Sequence, residues 1–361
     1  MGSESLRVLL LSRFSRLGPS SRIRFYQYLP HLSRLGVELT LCPLLDADYT
    51  RNLFSGERQR FDRIALAYLR RFRVLLRSGR FDLVWLEAEL WPRLPAWGEG
   101  LLSRLGVPYM VDYDDSIFHR YDQHPNSSVR TLLSNKIDEV MRQAVLVVVG
   151  NQYLADRAER AGARRIEYLP SVVDLDRYSV TPPVDNGAVT IGWIGSPISA
   201  AYLPDVLPAL DAVHKKVPVR FIFVGPGPVH LGDLPAEVRE WTEETEVEEI
   251  QRFDIGIMPL PDNPVTRGKS GYKLVQYLAC GRPAVASPVG VNSTILSHGV
   301  DGFLASDSQQ WIDALTRLSL DPSLRRTMGE AGRAKVETRY SVQVTAPRLA
   351  ELMRQSARGS P

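Results

Sequence analysis

The chain has 361 residues, enough for two domains with a core each, and its 44% hydrophobic and 24% charged content is that of a soluble globular protein. Its two cysteines, Cys42 and Cys280, lie far apart without metal-ligand spacing, which argues against a disulfide framework or a zinc site and suits a reducing compartment; the longest apolar run, AVLVVVG at 144–150, falls well short of a membrane span. The net charge of +3 is uneven: residues 1–180 hold 26 Lys/Arg against 21 Asp/Glu, and residues 181–361 hold 18 against 20.

No signal-peptide pattern opens the sequence, and Leu6 stands where a myristoylation site needs Ser or Thr, so a cytoplasmic location is expected. LRVLLLS (6–12) reads as a continuous apolar strand, followed by the polar loop FSRLGPSSR and a helix over about 22–35. Ligands gather at the carboxyl ends of strands in doubly wound sheets, so Gly18, Ser20, Ser21 and Arg22 form a candidate acceptor or phosphate loop, with a plain structural loop as the alternative. There is no G-x-G-x-x-G pattern to support a dinucleotide. After the strand VELTLCPL, residues 51–80 carry nine arginines against Glu57 and Asp62. A helix over 57–78 would put Phe61, Ile64, Ala65, Tyr68, Phe72, Leu75 and Leu76 near one side with arginines around it. Two readings stand: peripheral contact with an anionic membrane, or a core-packed helix with a solvated Arg face. No motif for nucleic acid accompanies the charge.

The strands FDLVWLEA (81–88), VPYMVDYDD (107–115), AVLVVVGN (144–151) and RRIEYLPS (164–171) follow, separated by helical stretches. Short apolar strands without polar interruption imply a parallel sheet covered on both faces. Asp112, Asp114 and Asp115 end one of them, with His119 close behind. Carboxylates so crowded mark turns, metal sites or active sites, and Asp112 or Asp115 as a helix cap is the plain alternative. SVTPPVDNGA (179–188) has linker composition, after which the alternation resumes with VTIGWIG (189–195), VRFIFVG (219–225), FDIGIMPL (253–260) and PAVASPVG (283–290). Gly195-Ser196 would place backbone N–H groups beside a phosphate, and Leu260 ends a strand where a nucleobase could pack. Between the last two strands lie Arg267, Lys269, Ser270 and Gly271, then a helix to about Cys280 with Lys273 and Gln276 on a shared polar face. Cations beside a glycine-bordered helix N-terminus suit a phosphate or diphosphate; an ordinary βαβ unit with a solvated face is the alternative.

The segment YKLVQYLACGRPAVASPVG resembles the donor-binding region of the retaining glycosyltransferases of family 4, which have the GT-B fold. The resemblance implies an α/β chain of two doubly wound Rossmann-like domains facing each other across a cleft: an acceptor domain (1–180), a nucleotide-sugar donor domain (181–340) and a C-terminal helix (341–361) crossing back to the first. Most members carry two glutamates where this sequence has Gly268 and Gln276; residues 268–277 resemble instead a variant of a polysaccharide-assembly branch. The implied activity is transfer of a sugar from a nucleotide diphosphate sugar, a substrate rather than a cofactor, to a glycan or lipid-linked acceptor, without a metal ion. Asp114 stands where many relatives place a catalytic histidine, and His119 is a further candidate. Gln276 would hold the ribose, while Arg267, Lys269 and Lys273 would replace the Arg and Lys that relatives carry after the Gly195 strand. A catalytically silent GT-B subunit and a UDP-sugar epimerase are the rival readings.

Overall fold

The computed structural model describes residues 5–54, 56–57, 59–182 and 187–358; Met1-Gly2 and residues 183–186 of the linker lie outside the described residues. Contacts divide the chain into two compact units. The first comprises residues up to Ser171, the short stretch Gly268–Ser270, and residues from Val342 onward; the second comprises Val172–Arg267 and Gly271–Ser341.

Unit 1 holds a six-stranded sheet: β1 (Leu6–Leu11), β2 (Val37–Leu41), β3 (Leu83–Glu87), β4 (Tyr109–Tyr113), β5 (Leu146–Val149) and β6 (Ile166–Tyr168), in the order β2-β1-β3-β4-β5-β6. All pairs are parallel, and every residue of β3, β4 and β5 is buried, as strands covered on both faces must be. The order reverses between β1 and β3, so the carboxyl ends of those two strands border a crevice where open α/β sheets take ligands. The helix expected over 22–35 is broken into Pro19–Arg24, a 3-10 turn Tyr26–Tyr28 and Leu29–Arg34. Pro30 explains the restart: it has no N–H to donate back into a preceding turn. The helix expected over 57–78 runs from Phe61 to Leu75. Helix Val342–Ala357 packs within unit 1, with Leu349, Ala350 and Met353 fully buried, the Tyr28 and Thr345 hydroxyls 2.8 Å apart and Arg348 paired to Glu167 at 2.9 Å.

Unit 2 holds a second six-stranded parallel sheet: β7 (Val189–Ile194), β8 (Val219–Val224), β9 (Ala236–Arg239), β10 (Ile255–Met258), β11 (Ala284–Ala286) and β12 (Gly302–Leu304), ordered β12-β11-β10-β7-β8-β9. Here the reversal falls between β7 and β10, strands whose carboxyl ends lead into Gly195 and Pro259. Strands β9 and β12 were not predicted; β9 is half solvated and β12 has three residues, too few to show a period. The unit begins at Val172, ahead of the predicted limit at 180: the Val173 N–H donates to the Tyr340 carbonyl, and Tyr178 is buried.

Candidate functional site

In unit 2 the switch-point crevice is built around Gly195. A β-carbon there would stand 2.5 Å from the Trp193 ring and 2.7 Å from Lys273 Cε, so glycine makes room for the lysine to lie along the strand end. Lys273 sits in the first turn of helix Tyr272–Ala279, whose N-cap Gly271 has φ 67°, a left-handed conformation that glycine adopts without strain. The Lys273 ammonium lies 5.4 Å from the centroid of the Trp193 ring and 3.4 Å from Ser199 Oγ. A cation, an indole face and a hydroxyl thus converge at the carboxyl end of β7, a geometry that can neutralise a phosphate.

The expected backbone donors are spent internally. The Gly195 N–H donates to the Val224 carbonyl (3.0 Å) and the Ser196 N–H to Ser199 Oγ (3.0 Å), because the short helix after β7 closes with its own cap. Gln276 is also corrected: it is 4% exposed, and its amide donates to the Tyr178 hydroxyl at 2.7 Å. That hydroxyl donates to Glu246, which also accepts from Trp241 Nε1, so Gln276 belongs to a buried polar network rather than to an exposed face shared with Lys273. Arg267 forms a fork with Asp262 (2.6 and 3.0 Å), and Leu260 donates its N–H to Ser287 Oγ at 2.9 Å.

Gly268, Lys269 and Ser270 count with unit 1. Lys269 pairs with Asp115 at 2.9 Å, and the Asn151 amide donates to the Gly268 and Lys269 carbonyls at 3.0 and 3.1 Å. A β-carbon on Gly268 would come within 2.5 Å of Ser116 Cβ and 3.0 Å of its backbone nitrogen. Glycine at 268 therefore has a steric reason. Of the three cations expected to act together, only Lys273 stands at the end of β7; Arg267 and Lys269 have other carboxylate partners.

In unit 1 the crevice between β1 and β3 is lined by carboxylates. Glu87, the last residue of β3, accepts from the Arg13 N–H (2.7 Å) and from Ser21 Oγ (2.6 Å). Burial pushes its carboxyl up to about 7, against those two hydrogen bonds. Ala88 follows with φ 61°, an uncommon conformation for a residue with a side chain, held by Tyr113 donating its hydroxyl to the Ala88 carbonyl at 2.8 Å. Glu89, 2% exposed, accepts from Lys136 and from the Tyr121 hydroxyl. Asp112 is buried against Arg24 at 2.8 Å; burial drives its carboxyl up to about 6 although Arg24 opposes the shift. Asp114 is partly buried, and its carboxyl is raised by burial, tempered by Arg24, raised again by Asp115 and tempered by a hydrogen bond from Ser20.

His119 does not fit the catalytic role expected of it: Nδ1 lies 2.8 Å from Asp122 Oδ1 and Nε2 lies 2.8 Å from the Tyr153 hydroxyl, so both ring nitrogens are engaged. Asp112, locked to a buried arginine, likewise serves the framework. Gly18 precedes helix Pro19–Arg24, where a β-carbon would strike Phe14 at 2.4 Å; Ser21 and Arg22 are buried, and Ser20 hydrogen-bonds Asp114, a carboxylate at the strand ends that is not fully enclosed. Sequence reasoning missed Glu87, Glu89 and Trp193. The signal for the glutamates was LEAEL, two acids closing a strand otherwise without charge.

Residues 7–171 match the family described as "Glycosyl transferase 4-like domain", and residues 188–321 match "Glycosyl transferases group 1". The chain is 25% identical over 251 residues to the D-inositol 3-phosphate glycosyltransferase of Saccharomonospora viridis, a match covering 61% of this chain and 57% of that relative. Among solved structures, a glycosyltransferase from Rickettsia africae superposes with TM-score 0.73 at 13% identity, covering 99% of this chain and 100% of the other. Anabaena HepE, solved in complex with UDP-glucose, gives TM-score 0.71 at 16% identity, covering 97% and 100%. These likenesses are to the GT-B fold.

Proposed function

Because the chain belongs to the group 1 glycosyltransferases of family 4, we propose that it moves a sugar from a nucleotide diphosphate sugar to an acceptor hydroxyl on a glycan or lipid-linked saccharide. One observation carries the donor assignment: the Lys273 ammonium is held at the glycine-bordered end of β7, beside the switch point of the second sheet. Negative charge grows on a departing diphosphate in the transition state, and a fixed cation there lowers the barrier. Helix Tyr272–Ala279 adds its positive dipole end. In unit 1, Asp114 is the carboxylate proposed to accept a hydrogen bond from the sugar or the acceptor. HepE's complex with UDP-glucose supports a UDP-linked hexose as the first donor to try.

Calorimetric titration of UDP and GDP into wild type and Lys273→Ala tests the reading. Selective binding, weakened about a hundredfold by loss of a charge-assisted contact, is the expected result; equal affinity in the variant removes Lys273 from the site. Transfer is proposed to retain anomeric configuration and to need neither metal nor cofactor. Turnover with chelator present, with the product's anomeric proton read by NMR, checks both: inversion, or loss of turnover on chelation, contradicts the respective claim.

The rival reading, a silent subunit that binds nucleotide sugar without turning it over, draws support from Gly268 and from the buried amide of Gln276. Binding with no transfer to any acceptor tried, and transfer restored by a second protein, would favour it.

A further inference from the structure

Helix Phe61–Leu75 turns one of its arginines inward. Arg71 is 3% exposed, and its Nη2 donates to the carbonyls of Ser12 (2.6 Å) and Cys42 (2.9 Å), the residues that follow β1 and β2. Its Nη1 is buried without a hydrogen-bond partner, and among the described residues no carboxylate pairs with the guanidinium. Its hydrogen bonds go to neutral carbonyls, and although Glu87 and Glu99 favour the charge through space, burial outweighs them and pulls Arg71 down to about 10.

The same side chain lines a cavity of about 560 Å³ between residues 42–52 and helix Phe61–Leu75. Arg60, Arg63 and Arg70 also line it, against Asp46 and Asp48 as the acidic members. Asp62 forms an ion pair with Arg60, and Asp48 pairs with both Arg63 and Arg51; of the lining residues this leaves Asp46 alone against Arg70 and Arg71, so the balance there is positive. A water molecule could satisfy Nη1 but would bring no charge to a guanidinium that Glu87 and Glu99 act on without a direct contact. An anion answers both, and a volume in the range of small-molecule sites leaves space for an organic group attached to it.

We propose that this cavity binds a phosphoryl group, with Arg71 as the buried contact and Arg70 beside it, and that this group belongs to the acceptor. The first half stands on Arg71 and the cavity alone; the second rests on the transfer reading above. Two sources share the chemistry: a phosphorylated soluble sugar and the headgroup of a polyprenyl phosphate.

The test uses the full chain carrying Lys273→Ala, so that the proposed donor site does not contribute. It is titrated with pyrophosphate, with glucose 6-phosphate, and with phosphatidylcholine vesicles with and without polyprenyl monophosphate. The titrations are repeated after adding Ala67→Glu, which sets a carboxylate one helical turn before Arg71 on the cavity wall. Arg70→Gln, at an exposed position, is the second variant should the first fail to fold. Pyrophosphate affinity is expected to fall about tenfold or more with Ala67→Glu and about threefold with Arg70→Gln. A parallel loss for glucose 6-phosphate alone identifies a soluble acceptor, and one for the polyprenyl vesicles alone a lipid acceptor. Absence of pyrophosphate binding by the folded protein, or unchanged affinity in the variants, overturns the proposal. UDP affinity of Ala67→Glu with Lys273 intact should match wild type within about twofold, and a larger loss would overturn a separate site. If wild type binds neither UDP nor GDP while the Lys273→Ala chain still takes pyrophosphate, the transfer reading fails and the cavity stands.

Discussion

Gly195 and Lys273 share one volume: the lysine stem fills the space that any larger residue at 195 would occupy. That coupling is invisible in a sequence, where the two lie far apart, whereas the cationic character of residues 267–273 was plain. What composition could not tell was which cation is committed elsewhere; Asp262 and Asp115 decide that for Arg267 and Lys269. Glu87 gives a second residue-scale result. Its carboxyl rises from 4.5 in the unperturbed residue to about 7, so between those values the folded chain keeps a proton that the unfolded chain releases. Stability from this group is complete below the unfolded value and is lost as the pH climbs through the folded one. Glu87→Gln should therefore gain on wild type as the pH goes from about 5 to about 8, by up to about 3 kcal/mol, in denaturant titrations. Asp112, shifted upward by the same cause, will leave part of the slope in place. Identical slopes in the two proteins would show that Glu87 titrates normally.

At the scale of elements, helix Phe61–Leu75 shows how much of a pattern survives folding. The sequence placed Phe61, Ile64, Ala65, Tyr68, Phe72, Leu75 and Leu76 near one side, but they divide into two arcs. Leu75 is buried and Ile64 and Tyr68 are partly covered, while Phe61, Phe72 and Leu76 are 83%, 42% and 62% exposed. With Ala65 and Leu69, the exposed set falls within an arc of about 80° beside the inward face. Arg73 and Arg77 are exposed alongside it. Periodicity alone could not choose between core packing and a surface stripe, because an apolar arc this wide does both. Apolar side chains flanked by arginines suit the boundary of an anionic lipid layer, and we propose that this stripe rests there. Phe61→Ser/Leu69→Ser/Phe72→Ser should weaken binding to phosphatidylglycerol-containing vesicles about tenfold or more in sedimentation, with the melting temperature nearly unchanged. Equal sedimentation of variant and parent would exclude the stripe. Among the described residues no helix is long and apolar enough to cross a membrane.

At the scale of the molecule, the alternation of apolar strands and helices was enough to give two parallel sheets, because strands buried on both faces carry their signature in every residue. Strand order needed coordinates, and with it the positions of the two switch points. Unit membership was less legible still, since it depends on contacts between distant segments: residues 342–357 pack with the first sheet's unit, as do Gly268–Ser270. A chain ending at Ser341 should lose amide protection in β1–β6 while β7–β12 keep theirs, as measured by hydrogen exchange. Uniform loss across both sheets would mean that the two units do not unfold separately.

That threading sets a timetable during synthesis. Residues 1–171 leave the ribosome first, yet helix Val342–Ala357, which covers Tyr28 and contributes several of the unit's buried side chains, is translated only after all of unit 2. At ordinary elongation rates the first unit waits on the order of ten seconds or more with that surface uncovered. The second unit lacks nothing by the time Ser341 emerges. The later-made half is thus the first able to finish folding, and a nascent chain stalled before residue 342 would present an open apolar seam to chaperones and proteases.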